Sequence, residues 1–387
     1  MLISIATHLL RIAARNNLIG AQPIYLFLVL LTLAFTCGCP KTQSTPSAPA
    51  ASKPAEPRAS VALRVLVVNE PEMVEALNRL RGEWAERSGG ELSATATTWT
   101  DLSTAKTLDA DVVLFPSRYL GELCTRNWLR PIRASVLDSE TFKGTDIFPL
   151  VRNDLMKWGG QTMSLPLGID RAAITPSAEP GALSLLTLAA PNAISNERLG
   201  VLFDVETMKP RLTDSAIVEA LEQLVQKTAL PADRPTLPIL GHSDRLMGVT
   251  ASSRNAASAF GLIEWLAQPE TSTQFARLDS GVLPARISLA SSPTWYDSKL
   301  TASQRAELSK SLIADLSGEK SLMIPRIPGI DEYLEALNDA VKSAVADKVP
   351  PAVALQKAAD KWEQITEAHG RDAQRDAYRK HLGISDK

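Results

Sequence analysis

Few side chains in this sequence have the type and spacing for covalent chemistry. Four histidines occur in 387 residues. His8 lies in the leader, and His369 and His381 lie in a charged tail. That leaves His242, in Gly241-His242-Ser243-Asp244, as the one histidine placed like a general base. The tetrapeptide is not the Gly-x-Ser-x-Gly elbow of a serine hydrolase. There is no glycine-rich phosphate loop, no His-Glu-x-x-His and no metal-ligand cluster. Cys124 is the only thiol beyond the leader, so the main body has neither a disulfide nor a cysteine metal site. Cys124 shares a helical pattern with Leu120 and Leu123 and reads as structural. An enzyme, a metal and a cofactor are all unexpected. What remains is polar recognition, carried by Ser117-Arg118-Tyr119, Asp170-Arg171 and Gly241–Asp244, with loop aromatics at Trp99, Trp295, Tyr296 and Tyr333. Aspartate accepts paired hydroxyl hydrogen bonds, arginine presents a planar fork, and tryptophan adds an apolar face with one N–H. A formal net charge of −2 argues against nucleic acid or another polyanion as partner.

The elements that must position these groups are legible from periodicity. Residues 63–68 (LRVLVV) form the short apolar run of a strand buried on both faces. Met73, Leu77, Leu80 and Trp84 follow at helical spacing, which makes Trp84 a core residue. Residues 92–98 alternate as a second strand, 111–115 (DVVLF) form a third, and 117–126 are helical. Strand–helix–strand–helix–strand implies an α/β domain with a parallel sheet and right-handed crossovers. Further on, 253–288 predict a mostly apolar helix carrying Phe260, Ile263 and Trp265. Pro269 then starts a second helix, and Gly281 permits a reversal. Near the C-terminus, Ile330, Leu334, Leu337, Val341 and Val345 make one helical stripe. Val353, Leu355, Ala358, Trp362 and Ile365 make another, and Pro350-Pro351 separates the two.

The first 39 residues read as an export signal: Arg11 and Arg15, then the apolar run 24–35, then Thr-Cys-Gly-Cys. An apolar run of about a dozen residues is too short to span a bilayer, which needs roughly 20. Cys39, after the small Gly38, looks like the lipid-modified cysteine of a bacterial lipoprotein, with Cys37 as the competing acceptor. Residues 40–60 are rich in Pro, Ser and Ala and almost devoid of large apolar side chains, so they read as an extended tether. The remaining residues, from 61 to 387, are enough for two lobes with separate cores.

The order of several segments resembles the family 1 extracellular solute-binding proteins of bacterial ABC importers, of the sugar-binding type. The helix pair ending in GVLPARIS is similar to the family's "SPE.Q … G.LP.R.S". The segment 159–174 (GGQTMSLPLGIDRAAI) resembles its lobe-crossing "GKLYGLPYG.D". Residues 203–225 and the run beginning MIPRIPGIDEYLEAL match in turn. The resemblance implies a two-lobed periplasmic-binding-protein-like fold of type II, with discontinuous lobes and a cleft between them. Lobe I would hold 61–165 and 248–290, and lobe II 166–247 and 291–387. Only about sixty residues separate the crossing segment from "LPILGHSDRLMGVT", fewer than in typical sugar-binding members, so lobe II looks trimmed.

The resemblance also implies a site. In such proteins the solute lies in the interlobe crevice, at the carboxyl ends of strands. Trp99 follows the second strand, where it either stacks on a sugar ring or packs under its own loop. Ser117 and Arg118 follow the third strand, as ligand donors or as helix caps. Asp170 and Arg171 end the crossing segment, as ligand contacts or as a hinge pair. His242 stands where the family often has an aromatic, and Tyr333 opens a long helix as a candidate stacking wall. The expected partners are a small polar solute, a carbohydrate by family, and ABC permease subunits, with the membrane contacted only through a lipid on Cys39. A monomer on the extracytoplasmic, periplasmic face is the expected state. The alternative is a trimmed scaffold lipoprotein without a transport role, acting in sensing or protein interaction.

Overall fold

Strand β1 (Ala62–Val68) buries Leu63, Val65, Val67 and Val68. It pairs in parallel with β2 (Glu91–Thr97) on one side and β3 (Val112–Pro116) on the other. These three strands realise the expected parallel sheet. In the computed structural model the described residues are 60–174, 179–194, 200–226, 237–276, 281–292, 295 and 299–384. The leader with Cys37 and Cys39, all of the tether but its last residue, and Tyr296 lie outside them.

Helices α1 (Glu72–Arg79) and α2 (Arg81–Ser88) cover the sheet with Met73, Leu77 and Trp84. Trp84 is buried against Trp265, with ring centroids 5.5 Å apart. After β3 the chain makes one 3₁₀ turn at Ser117–Tyr119 and enters α3 (Leu120–Thr125). A short hairpin, β4 (Lys157–Trp158) and β5 (Gln161–Thr162), leads to β6 (Leu165–Asp170).

The sheet has six strands in the order β2-β1-β3-β8-β6-β9, where β8 is Arg245–Val249 and β9 is Val282–Leu283. β8 runs antiparallel to both β3 and β6, and β6 antiparallel to β9, so the sheet is mixed. β6 pairs with β8 through Leu165, Pro166 and Gly168, and with β9 through Ile169 and Asp170. Gly168 permits the close approach of β9, since a Cβ there would meet Val282 Cγ1 at 2.3 Å.

Between β6 and β8 the chain forms α4 (Ala182–Ile194), α5 (Ser215–Gln226) and β7 (Ile239–Leu240). The apolar hairpin read from the sequence is α6 (Ala256–Leu266) with the short helix Pro269–Ser272. Its closing arginine is structural. Arg286 is buried and donates to the carbonyls of Ala267 (2.8 Å), Lys143 (3.0 Å) and Phe142 (2.9 Å).

The chain continues through α7 (Ala302–Leu316), β10 (Leu322–Met323), α8 (Ile330–Val345), α9 (Pro351–His369) and α10 (Arg371–His381). β10 forms a parallel pair with β7. The core between Phe203 and the C-terminal helices is aromatic. Phe203 stacks on Trp362 at 4.8 Å, and Tyr333 and Tyr378 meet Phe203 edge-on at 5.4 and 5.5 Å.

Candidate functional site

Polar residues gather where β1, β2, β3, β6 and β8 end or begin. Asn69 and Glu70 leave β1, Trp99 follows β2, and Ser117–Tyr119 follow β3. Asp170 ends β6, and Gly241–Asp244 lead into β8. Asn69 adopts a left-handed backbone (φ 59°), a conformation asparagine tolerates better than most residues. Its side chain accepts from the Trp99 N–H (2.8 Å) and donates to the Tyr119 hydroxyl (3.0 Å).

Asp244 ties this cluster together. It is buried, and its carboxylate accepts from the Ser117 hydroxyl (3.0 Å), the Gly241 N–H (2.7 Å) and the Asp170 N–H (3.1 Å). Burial, and then the nearby Asp170, raise its carboxyl above the ordinary range. Beside it, Arg245 Nε donates to Glu70 Oε2 at 2.6 Å, with both side chains under a tenth exposed. Burial pushes the Glu70 carboxyl up to about 7, against the pull of Arg245.

The groups that remain partly open come from the crossing segments. Asp170 caps the turn Arg171–Ala173 by accepting from the Ala172 N–H (3.0 Å), and its other oxygen lies 3.5 Å from His242 Nδ1. Burial alone would raise Asp170. Its contacts with His242, the Ala172 N–H and Arg245 outweigh that and hold it below the usual carboxylate value. Arg171 is exposed. Ser243 Oγ lies 2.8 Å from His242 Nδ1. Ser243, His242 and Asp170 therefore meet at one ring nitrogen. A catalytic relay needs serine and aspartate on opposite nitrogens of the imidazole, so this geometry does not pass a proton from Ser243 to Asp170.

The candidates after β2 and β3 are engaged with one another and with Asp331. The Trp99 ring stacks on Tyr119 with centroids 4.2 Å apart. Arg118 donates to Asp331 (2.8 Å), to the His242 carbonyl (3.3 Å), to Ser243 Oγ (3.2 Å) and to the Tyr119 hydroxyl (3.0 Å). Tyr119 in turn donates to Asp331 at 2.6 Å. Asp331 opens α8, so these contacts bridge the end of β3 to that helix.

The structure thus gathers Ser117, Arg118, Asp170 and His242 into one cluster, with Trp99 on its rim beside Tyr119 and Arg171 exposed at its edge. Ser117 is fully buried, and its hydroxyl serves Asp244. Tyr333 is the correction. It is fully buried in the aromatic core with its hydroxyl 2.9 Å from that of Thr366, so it does not face the crevice. Trp295 is buried too and donates to the Ala290 carbonyl. Sequence reasoning missed Asn69, Glu70, Arg245 and Asp331. The first two directly follow the carboxyl end of β1, and that position was the available signal.

No family model and no curated sequence matches the chain. Solved structures do. The sugar-binding protein MalE from Xanthomonas citri aligns at TM-score 0.59 and 15% identity, over 80% of this chain and 98% of its own. A Thermotoga lettingae ABC-transporter solute-binding protein bound to α-D-tagatose aligns at 0.56 and 14% identity, over 79% and 100%. One from Agrobacterium radiobacter K84 bound to ribitol aligns at 0.54 and 16% identity, over 80% and 100%. The fold is therefore α/β and two-lobed, of the periplasmic-binding-protein-like kind, with discontinuous lobes and a crevice between them.

Proposed function

We propose that this chain is an extracytoplasmic solute-binding protein that captures a polar small molecule, of carbohydrate class, for an ABC importer. The observation that carries this reading is the convergence of Asp170, Arg171, His242 and Ser243 at the strand ends of a fold whose relatives bind sugars and polyols. The carboxylate and imidazole of that set suit paired hydroxyls, and Arg171 supplies an open fork. Binding would involve no catalysis. Permease subunits would read the closed form, and a lipid on Cys39 would hold the monomer at the periplasmic face of a membrane.

The test is a thermal-shift and calorimetric screen of the full-length chain against sugars and polyols. A cognate solute at a hundred times its Kd stabilises the folded state by about 2.7 kcal/mol. Replacing Asp170 by Ala, which leaves a hydroxyl unpaired, lowers affinity roughly ten- to a hundredfold. In cells, labelled palmitate should be incorporated and lost in Cys39→Ala. Label that persists in that variant moves the lipid elsewhere.

A second reading has its own observation. Trp99, Arg118, Tyr119 and Asp331 satisfy one another across the crevice. That arrangement favours a scaffold lipoprotein without a transport role, serving sensing or protein interaction. A screen in which no solute stabilises the chain selects this reading over the first.

A further inference from the structure

A cavity of about 510 Å³ lies between the turn at Val151–Leu155, the β4–β5 hairpin, the approach to β10 and the end of α10. At its base lies Arg326, a guanidinium only 1% exposed. A buried charge is costly unless it is paired. Arg326 nevertheless makes no ion pair among the described residues. Its Nη1 donates to the Leu155 carbonyl (2.7 Å) and its Nε to His381 Nδ1 (3.2 Å). Nη2 has no hydrogen-bond partner among the described residues.

His381 adds a second donor. Burial and then Arg326 hold its pKa well below the usual value, so the ring is neutral. With Nδ1 accepting from Arg326, the proton sits on Nε2. Lys157, Lys320 and Lys380 line the same cavity and form no ion pairs among the described residues. Against these four cations stand Asp154 and Glu319, so the lining carries a net charge of 4 − 2 = +2. Asp154 is raised by the walls around it, opposed by Arg326 and then Lys157.

We propose that this cavity is a binding site for a small organic oxyanion carrying two or more negative charges. One carboxylate or phosphate group would sit on the Arg326 fork, with the lysines holding the rest. Asp154 and Asp244 act on Arg326 from a distance without forming an ion pair. A bound anion would supply the direct contact, and a planar guanidinium suits an oxyanion better than any neutral solute. The volume exceeds what inorganic phosphate needs, which points to an organic skeleton. None of the crevice residues lines this cavity, so the site stands or falls independently of the proposed solute.

The experiment titrates the full-length chain with citrate, glycerol 3-phosphate and inorganic phosphate by calorimetry, with glycerol as the neutral control. One of the organic anions should bind saturably and raise Tm, and its affinity should fall with added salt. The double variant Lys157→Gln, Lys320→Gln changes one half-buried and one exposed side chain, neither in an ion pair among the described residues, and should fold normally. It should weaken binding by about tenfold or more, the scale of one charge-assisted hydrogen bond. Arg326→Lys, which keeps the charge and loses the fork, should weaken it further, while Lys361→Gln on α9 should change nothing. Absence of saturable binding by both organic anions, or equal affinity in the double variant and the parent, overturns the site.

Discussion

Replacing Asp331 by Ala removes the contact that joins the end of β3 to α8. The Asp331 carboxylate accepts from Arg118 Nε at 2.8 Å and from the Tyr119 hydroxyl at 2.6 Å. Hydrogen bonds to charged groups contribute about 1.5–3 kcal/mol each when shielded from water. Asp331 is 51% exposed while Arg118 is 14% exposed, so water screens one side of the pair. Arg118 also keeps its bonds to the His242 carbonyl, Ser243 and Tyr119. The expected loss is therefore about 1.5 kcal/mol rather than the full sum of two shielded bonds. For a chain of this size that is about 2 °C in Tm. Urea unfolding of Asp331→Ala, Arg118→Ala and the double variant gives the coupling directly, and about 1 kcal/mol is expected. A loss below about 0.3 kcal/mol with no coupling would mean that the bridge is an ordinary screened surface pair. The link between β3 and α8 would then have to be sought elsewhere.

Glu70 should make stability depend on pH. Its folded value of about 7 lies above the ordinary 4.5, so the folded state holds the proton more tightly. The stabilising contribution is then complete below the unfolded value and is lost as pH rises toward the folded one, a loss on the order of 2–3 kcal/mol. Subtracting the unfolding profile of Glu70→Gln from that of the parent should isolate this slope, and parallel profiles would refute it. Gly121→Ala should be severe, because a Cβ there would lie 1.6 Å from the Arg326 carbonyl oxygen and 2.5 Å from the Trp158 ring. Overpacking against backbone costs about 3 kcal/mol or more, and a measured loss under about 1 kcal/mol would contradict the packing of α3 on that loop.

The first half of the sheet was legible for two reasons. β3 is buried throughout and must be apolar. β1 buries Leu63, Val65, Val67 and Val68 and leaves Arg64 exposed, so it is not the two-sided buried strand expected, although its alternation still marks a strand. The placement of β8 between β3 and β6 was not legible. A short run such as RLMGV, apolar after its arginine, shows that a strand exists, but nothing local names its neighbours or its direction. Tyr333 shows a different failure. It sits three residues after Ile330 and four before Leu337, on the buried face of α8, so its own helical register marked it as core. Reading it as a stacking wall gave its aromatic chemistry more weight than its periodicity. Glu70 and Asp331 were passed over because each directly precedes or opens a helix. There an acidic residue has an ordinary electrostatic explanation, and only the fold reveals the second partner.

Asp244 explains why the crevice has this form. Its carboxylate binds the Ser117 hydroxyl after β3, the Gly241 N–H before β8 and the Asp170 N–H at the end of β6. One side chain thereby fixes three chain segments at the point where the backbone leaves and re-enters the six-stranded sheet. An amide in its place would offer one accepting oxygen and would point its NH₂ at a donor. Asp170 and His242 are thus held on a rigid base while remaining partly open. Trp99 and Arg118 are already committed to Tyr119 and Asp331. A solute entering this crevice would meet the crossing segments first, where groups are available. It would gain the far wall only by displacing bonds the protein already makes. Affinity should therefore depend more steeply on Asp170 and His242 than on Trp99, the reverse of the order expected where an aromatic platform stands free.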